Sequence, residues 1–174
     1  MQEEKKPEVW QRGPVEGVPG LLQPVAHAIL QAQEEITEAI TGMPVDLLWL
    51  QPAGVAPVAF HVKHITGILD RLFTYADGQM LNQHQFEELK LENVKYENIT
   101  ADELLTALRA RVNQTLTRLR TTKEKVLKDA RGVGRQQLPT TVAGLLFHAA
   151  EHTMRHTGQL LVTAKMVNHG VGKN

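Results

Sequence analysis

Three histidines stand at successive steps of four in the segment FHAAEHTMRHTGQLL: His148, His152 and His156. Residues four apart on a helix lie above one another, so these three would stack along one face, about one turn apart. Two imidazoles at that spacing reach one metal ion without strain. A second segment, FHVKHITGILDRL, supplies His61 and His64. One histidine from it and two from the first give three nitrogen ligands and open positions for water or substrate. That is the pattern of a catalytic or exchangeable metal site, not of a closed structural one. The chain has no cysteine, which excludes disulfide scaffolds, thiolate zinc sites, iron–sulfur clusters and a cysteine nucleophile. Ferritin-like di-iron sites need Glu-x-x-His on two helices, and zinc proteases of the HExxH type need a glutamate inside the histidine pair. Neither pattern is present.

Four helical segments must position these residues. Residues 1–20, rich in Pro and Gly, read as an extended arm ahead of a single domain over 21–174. From Leu21 to Thr41, apolar residues recur at steps of three and four until Gly42 stops the run. Met43 to Pro57 reads as a crossing loop. Pro57 suits the first turn of a second helix, to about Asp77, in which Val58, Val62, Ile65, Leu69, Leu72 and Ala76 form a packing seam. A polar connection, Gln79 to Ile99, holds a short helix around Asn82 to Lys90. Thr100-Ala-Asp-Glu103 is a capping box for a third long helix, which the pattern extends through Val126 and Leu127. Arg131-Gly-Val-Gly134 breaks it, and the last helix runs from Pro139 or the threonines after it to about Asn168. No segment alternates with period two. The expected architecture is an all-α four-helix bundle with a long N-terminal arm and crossing loops.

The core seam of the last helix reads Val142, Leu145, Ala149, His152, His156, Leu160, Thr163 and Val167, so two histidines occupy positions where packing favours Leu or Ile. A buried imidazole needs partners for both nitrogens, and a metal on one with a hydrogen bond on the other supplies them. In the second helix, His61 falls about 40° from Ile65 and His64 about 100° away, so periodicity alone turns His61 inward. Glu151 points about 100° from His152, toward solvent or a supporting position. Gln159 lies one step past the stripe. Asp70 and Arg71 suit surface or interhelical ion pairs, His27, His84 and His169 read as surface residues, and the basic run from Arg109 to Lys125 suits a solvated helix face.

Basic and acidic side chains balance at 19 each, which argues against a nucleic-acid partner, since that needs an excess of Lys and Arg. The start, MQEEKKPEVW, is too polar for a secretory signal, and no apolar run approaches a bilayer span; a cytoplasmic protein without a membrane partner is expected.

Two motifs, His64-Ile-Thr-Gly-Ile-Leu-Asp-Arg-Leu72 and His152-Thr-Met-Arg-His156-Thr-Gly-Gln159, resemble those of the DinB-like superfamily, which includes YfiT-type metal-dependent hydrolases and thiol-dependent transferases. The resemblance implies His64, His152 and His156 as ligands of a divalent metal, zinc or nickel first and iron or manganese after them. It thus chooses His64 where periodicity chooses His61. His61 and His148 are left as a fourth ligand, supporting groups or candidates for the general base. The resemblance also implies a homodimer and a low-molecular-weight thiol as co-substrate. The expected function is a mononuclear metal enzyme, a hydrolase or thiol-dependent transferase. The alternatives are a metal-binding or stress-response bundle without turnover, and a structural dimerising bundle without metal.

Overall fold

The structure, a computed structural model, describes residues 6–170 other than Glu97. Its four long helices are α1 (Gln23–Ile40), α3 (Val58–Ala76), α5 (Ala101–Thr121) and α6 (Val142–Asn168); two short ones, α2 (Val45–Leu48) and α4 (Gln83–Leu91), lie in the connections. Helix α6 packs between α1 and α3, and α5 contacts the same two helices, which closes a four-helix bundle. Each long helix turns one apolar stripe inward: Ala26, Ile29, Ile36 and Ile40 from α1, Val62, Ile65, Leu69 and Phe73 from α3, Leu105, Leu108 and Leu119 from α5, and Leu145, Leu146, Ala149 and Leu160 from α6. The fold is the expected all-α bundle.

The ends of the helices follow their local chemistry. The Thr100 hydroxyl accepts from the backbone N–H of Glu103, whose carboxylate accepts from the N–H of Thr100 in return. Asn82 and Gln85 make the same reciprocal box at the start of α4. Thr141 caps α6 by accepting from the N–H of Gly144.

Three expectations need correction. Helix α5 ends at Thr121 and does not continue through Leu127; a short 3-10 turn, Glu124–Val126, follows. The segment after it is a two-stranded antiparallel hairpin, β1 (Ala130–Val133) and β2 (Leu138–Thr141), where no strand was expected. Its strands are four residues long and carry a glycine and a proline, so no apolar alternation marks them; ladder hydrogen bonds hold them instead. The hairpin closes one end of the bundle, and Arg131 Nε donates to the C-terminal carbonyl of Ala76 on α3 at 2.7 Å. The crossing loop before α3 also contains helical turns, α2 and Pro52–Gly54.

The N-terminal arm lies on α1. Arg12 makes a two-pronged ion pair with Glu34 at 2.7 and 2.8 Å, and the N–H of Val9 donates to Gln31. The first five residues of the arm fall outside the described residues. Among the described residues, no single helix is long and apolar enough to cross a membrane.

Candidate metal centre

Helices α3 and α6 face each other along the bundle, and their histidines meet there. His64, His152 and His156 each offer a ring nitrogen within 4.8 Å of the other two. The rings of His64 and His156 are 4.4 Å apart between centroids, and those of His152 and His156 are 4.6 Å apart. Nε2 of His64 and Nε2 of His152 face each other at 2.9 Å. Phe60 stacks on His64 at 5.4 Å and walls one side of the group.

His64 is held by a carboxylate. Its Nδ1 donates to Glu92 Oε2 at 2.7 Å, because a carboxylate only accepts, so Nε2 is the nitrogen that turns toward His152. The other oxygen of Glu92 accepts from Arg71 Nη1 at 2.7 Å. Arg71 and Glu92 are both buried, so the two charges compensate each other inside the protein. Arg71 lies seven residues after His64 on α3, two turns along the same face, and Glu92 stands just past the end of α4. Lys63 fixes that end by donating to the carbonyls of Leu91 and Val94. Gln85, on α4, donates to Asp70 and Thr74 of α3 and pins the short helix alongside. Gly67 completes the arrangement. A Cβ there would fall on Glu92 Oε1 and stand 2.5 Å from Arg71 Nη1, so the ion pair crosses α3 only over a residue without a side chain.

His156 is held by a second imidazole. Its Nδ1 and the Nδ1 of His61 are 3.0 Å apart, so one carries the proton and the other accepts it. The backbone of Ala56 also bears on His61, raising its pKa against the larger effects that lower it. Burial, reinforced by the charge of His64, lowers the pKa of both His61 and His156 to about 4, and burial likewise lowers that of His152. The rings therefore stand neutral near pH 7, with lone pairs available to a Lewis acid. His152 has one further property: its buried Nδ1 has no hydrogen-bond partner among the described residues.

The two second-helix histidines divide the roles that periodicity and resemblance assigned to one of them. His61 is turned inward, 3% exposed, as helical arithmetic expects. His64, its side chain 16% exposed at the edge of the stripe, is the one that joins His152 and His156. In α6 the fully buried seam runs through Thr153 and Thr157, and His152 and His156 sit beside it, half-buried. His148 stays at the outer end of the stack, donating from Nδ1 to Glu151 Oε1 at 2.6 Å. Glu151 also accepts from Arg155, as a supporting position allows. Gln159 and His61 line a cleft of about 670 Å³ together with Val55, Val162 and Met166.

Glu92 escapes a sequence reading because it is one of several glutamates in a polar connection. The available signal is Arg71: an arginine on the histidine face of α3 needs a carboxylate, and the connection that follows is where one is at hand. The Asp70 expectation resolves into an ion pair with Arg111 at 2.5 Å, which ties α3 to α5 and takes one arginine out of the solvated face.

The fold and the centre together define a helical bundle that gathers imidazoles from two helices distant in sequence and packed face to face. A family model described as the DinB superfamily matches residues 6–160, and the chain belongs to that superfamily. A crystal structure of a conserved protein from Enterococcus faecalis has the same fold, with a TM-score of 0.66 and 23% identity over 85% of this chain and 97% of that one. No curated protein matches the chain.

Two predictions follow from the way His64 and His156 are held. Gly67→Ala drives the Glu92–Arg71 pair off α3 and destabilises the protein by about 1–3 kcal/mol, read as a lowered denaturant midpoint. In the metal-free protein, the unfolded histidines take up protons at higher pH than the folded ones. The stability contributed by neutral His61 and His156 is complete above their ordinary pKa of 6.5 and is lost as pH falls toward about 4. His61→Gln removes part of that slope, which chemical denaturation at pH values spanning the window measures.

Proposed function

We propose that the chain is a mononuclear divalent-metal enzyme in which His64, His152 and His156 hold the ion, zinc or nickel before iron or manganese. The observation that carries this reading is the convergence of three ring nitrogens within 4.8 Å, two of them on rings, His152 and His156, whose pKa burial lowers. The donor set fits: three imidazoles, no thiolate, and an anchoring carboxylate behind one ring, the arrangement by which proteins fix the tautomer of a metal-bound histidine. His152 fits as well, since its buried Nδ1 has no hydrogen-bond partner among the described residues. A bound ion there supplies Lewis acidity, lowering the pKa of water or of a thiol that approaches it.

The protein's own residues supply orientation and exclusion of water. Glu92 keeps the proton of His64 on Nδ1, and Arg71 keeps Glu92 in place. His61 does the same for His156 when it accepts from His156 Nδ1, which frees the Nε2 of that ring. Its pKa of about 4 suits this positioning role better than that of a general base working near neutral pH. The cleft beside His61 offers apolar walls from Val55, Val162 and Met166, with Gln159 and Arg155 at hand for a polar group. A small substrate with an apolar part and a polar or anionic end matches that lining. Membership of the DinB superfamily supports hydrolysis or transfer to a low-molecular-weight thiol as the reaction class. The same reading includes a homodimer; Phe147, 67% exposed on α6, and Leu138, 55% exposed on the hairpin, leave apolar surface for a second copy.

Elemental analysis tests the metal. Purified protein carries about one equivalent of a divalent transition metal, and His152→Ala loses it, while Glu92→Gln weakens binding about 10–100-fold in competition with a chelator. Wild-type protein that takes up no metal removes the reading. A thiol-consumption screen across varied electrophiles then separates an enzyme from a binder: metal-loaded protein that consumes no thiol and hydrolyses no ester or amide is a binder. Light scattering reads twice the chain mass if the homodimer forms.

A further inference from the structure

A second group on the same helix shares a residue with the centre. His148, Glu151 and His152 also bring ligand atoms within 4.8 Å of one another. This outer group differs from the inner one in access. The His148 side chain is 46% exposed and that of Glu151 28%, against 16% for His64. It also differs in charge: it contains a carboxylate, whereas the inner group is three imidazoles. Glu151 is already occupied by a cation, since Arg155 Nη2 donates to Oε2 at 2.6 Å while His148 donates to Oε1. Arg155 is itself largely exposed, so it can swing to solvent when another cation takes its place.

His152 is common to both groups, and its bonding capacity is not filled: Nε2 faces His64, and the buried Nδ1 has no partner among the described residues. Two dications on ligand sets that share one imidazole would lie a few ångströms apart, with Glu151 as the one carboxylate among the ligands. Mutual repulsion at that separation favours one ion at a time. We infer that His148 and Glu151 form a loading site, which captures a divalent cation at the surface and passes it inward by exchanging His148 and Glu151 for His64 and His156 around His152.

The step is a ligand substitution with no redox change. The cation keeps its charge, Arg155 leaves Glu151 when the ion arrives, and returns when the ion moves on. The structure supports the direction of travel: the exposed end of the histidine stack carries the carboxylate that attracts a cation, and the more enclosed end carries the three imidazoles that retain it. This inference rests on the proposal that the inner histidines bind metal, and its test separates the two.

Zinc uptake by the chelator-stripped full chain, and zinc release from the loaded chain to a chelator, are followed in wild type, His148→Ala and Glu151→Gln. Both changes lie on an exposed helix face, and circular dichroism confirms that the helices persist. Uptake and release should both slow by about tenfold in each variant, the scale on which local charge alters capture rates. Affinity and the single-equivalent stoichiometry should stay as in wild type. A further variant, His64→Ala, should retain weak zinc binding through the outer group, and adding His148→Ala should abolish it.

Wild-type rates in His148→Ala and Glu151→Gln overturn the loading site and leave the inner centre standing. A lost inner affinity in His148→Ala overturns it too, because His148 is then a ligand of the final site. A second zinc equivalent in wild type that vanishes in the variants shows two ions held together, which the inference forbids. Absence of zinc binding in His64→Ala at any concentration shows that the outer group holds no ion. Failure of wild type to bind zinc, nickel, iron or manganese removes the proposed function itself.

Discussion

Everything around the histidine group depends on one buried carboxylate. Glu92 accepts from His64 with one oxygen and from Arg71 with the other, each at 2.7 Å, and both of its donors come from α3. A buried carboxylate is tolerable only when its charge is matched and its lone pairs are used, and this one has both. The consequence reaches outward. Gly67 must lack a side chain so that the pair can cross the helix, Lys63 must hold the carbonyls at the end of α4, and Gln85 must tie α4 to α3. A short helix that looks like a mere connection is thereby the element that orients a ring.

The two orienting devices differ in what they do to a proton. Glu92 carries a charge, so it fixes the His64 proton on Nδ1 without ambiguity. His61 is neutral near pH 7, so its bond with His156 can be written with the proton on either ring. Burial of both rings, with His64 close by, raises the cost of protonating either one, and both pKa values fall to about 4. The group is therefore anchored by charge on one helix and by desolvated neutral rings on the other.

The amino-acid sequence carried the long helices because their apolar stripes are periodic, and it carried the HxxxH pair because helical spacing alone makes His152 and His156 neighbours. It also held a conflict over the second helix that the structure resolves without discarding either side. Helical arithmetic identifies the ring that points into the core, His61; the resemblance to DinB-like proteins identifies the ring that meets the α6 pair, His64. The two differ because the group sits at the edge of the stripe, beside the buried threonines 153 and 157 rather than among the leucines. Periodicity has no term for such an edge. Glu92 and the hairpin were hidden for a different reason. A single glutamate in a polar connection and two four-residue strands are specified by long-range partners, and neither leaves a repeat in the local sequence.

An edge position also explains why α6 can support two overlapping groups. A ligand set in the centre of the bundle would be surrounded by Leu and Ile on every side and would have no path to water. At the edge, the stack of His148, His152 and His156 lies along one helix face, with His148 exposed and His152 and His156 half-buried at the same spacing. The acidic residue needed to attract a cation is affordable only at the outer end, where Glu151 remains hydrated and paired with Arg155. At the inner end a carboxylate that touched the same point would carry a desolvation cost, and the protein withdraws it one layer, to Glu92 behind His64. The same negative charge thus serves attraction at the surface and orientation in the interior, and the difference between the two uses is set by how much water each position keeps.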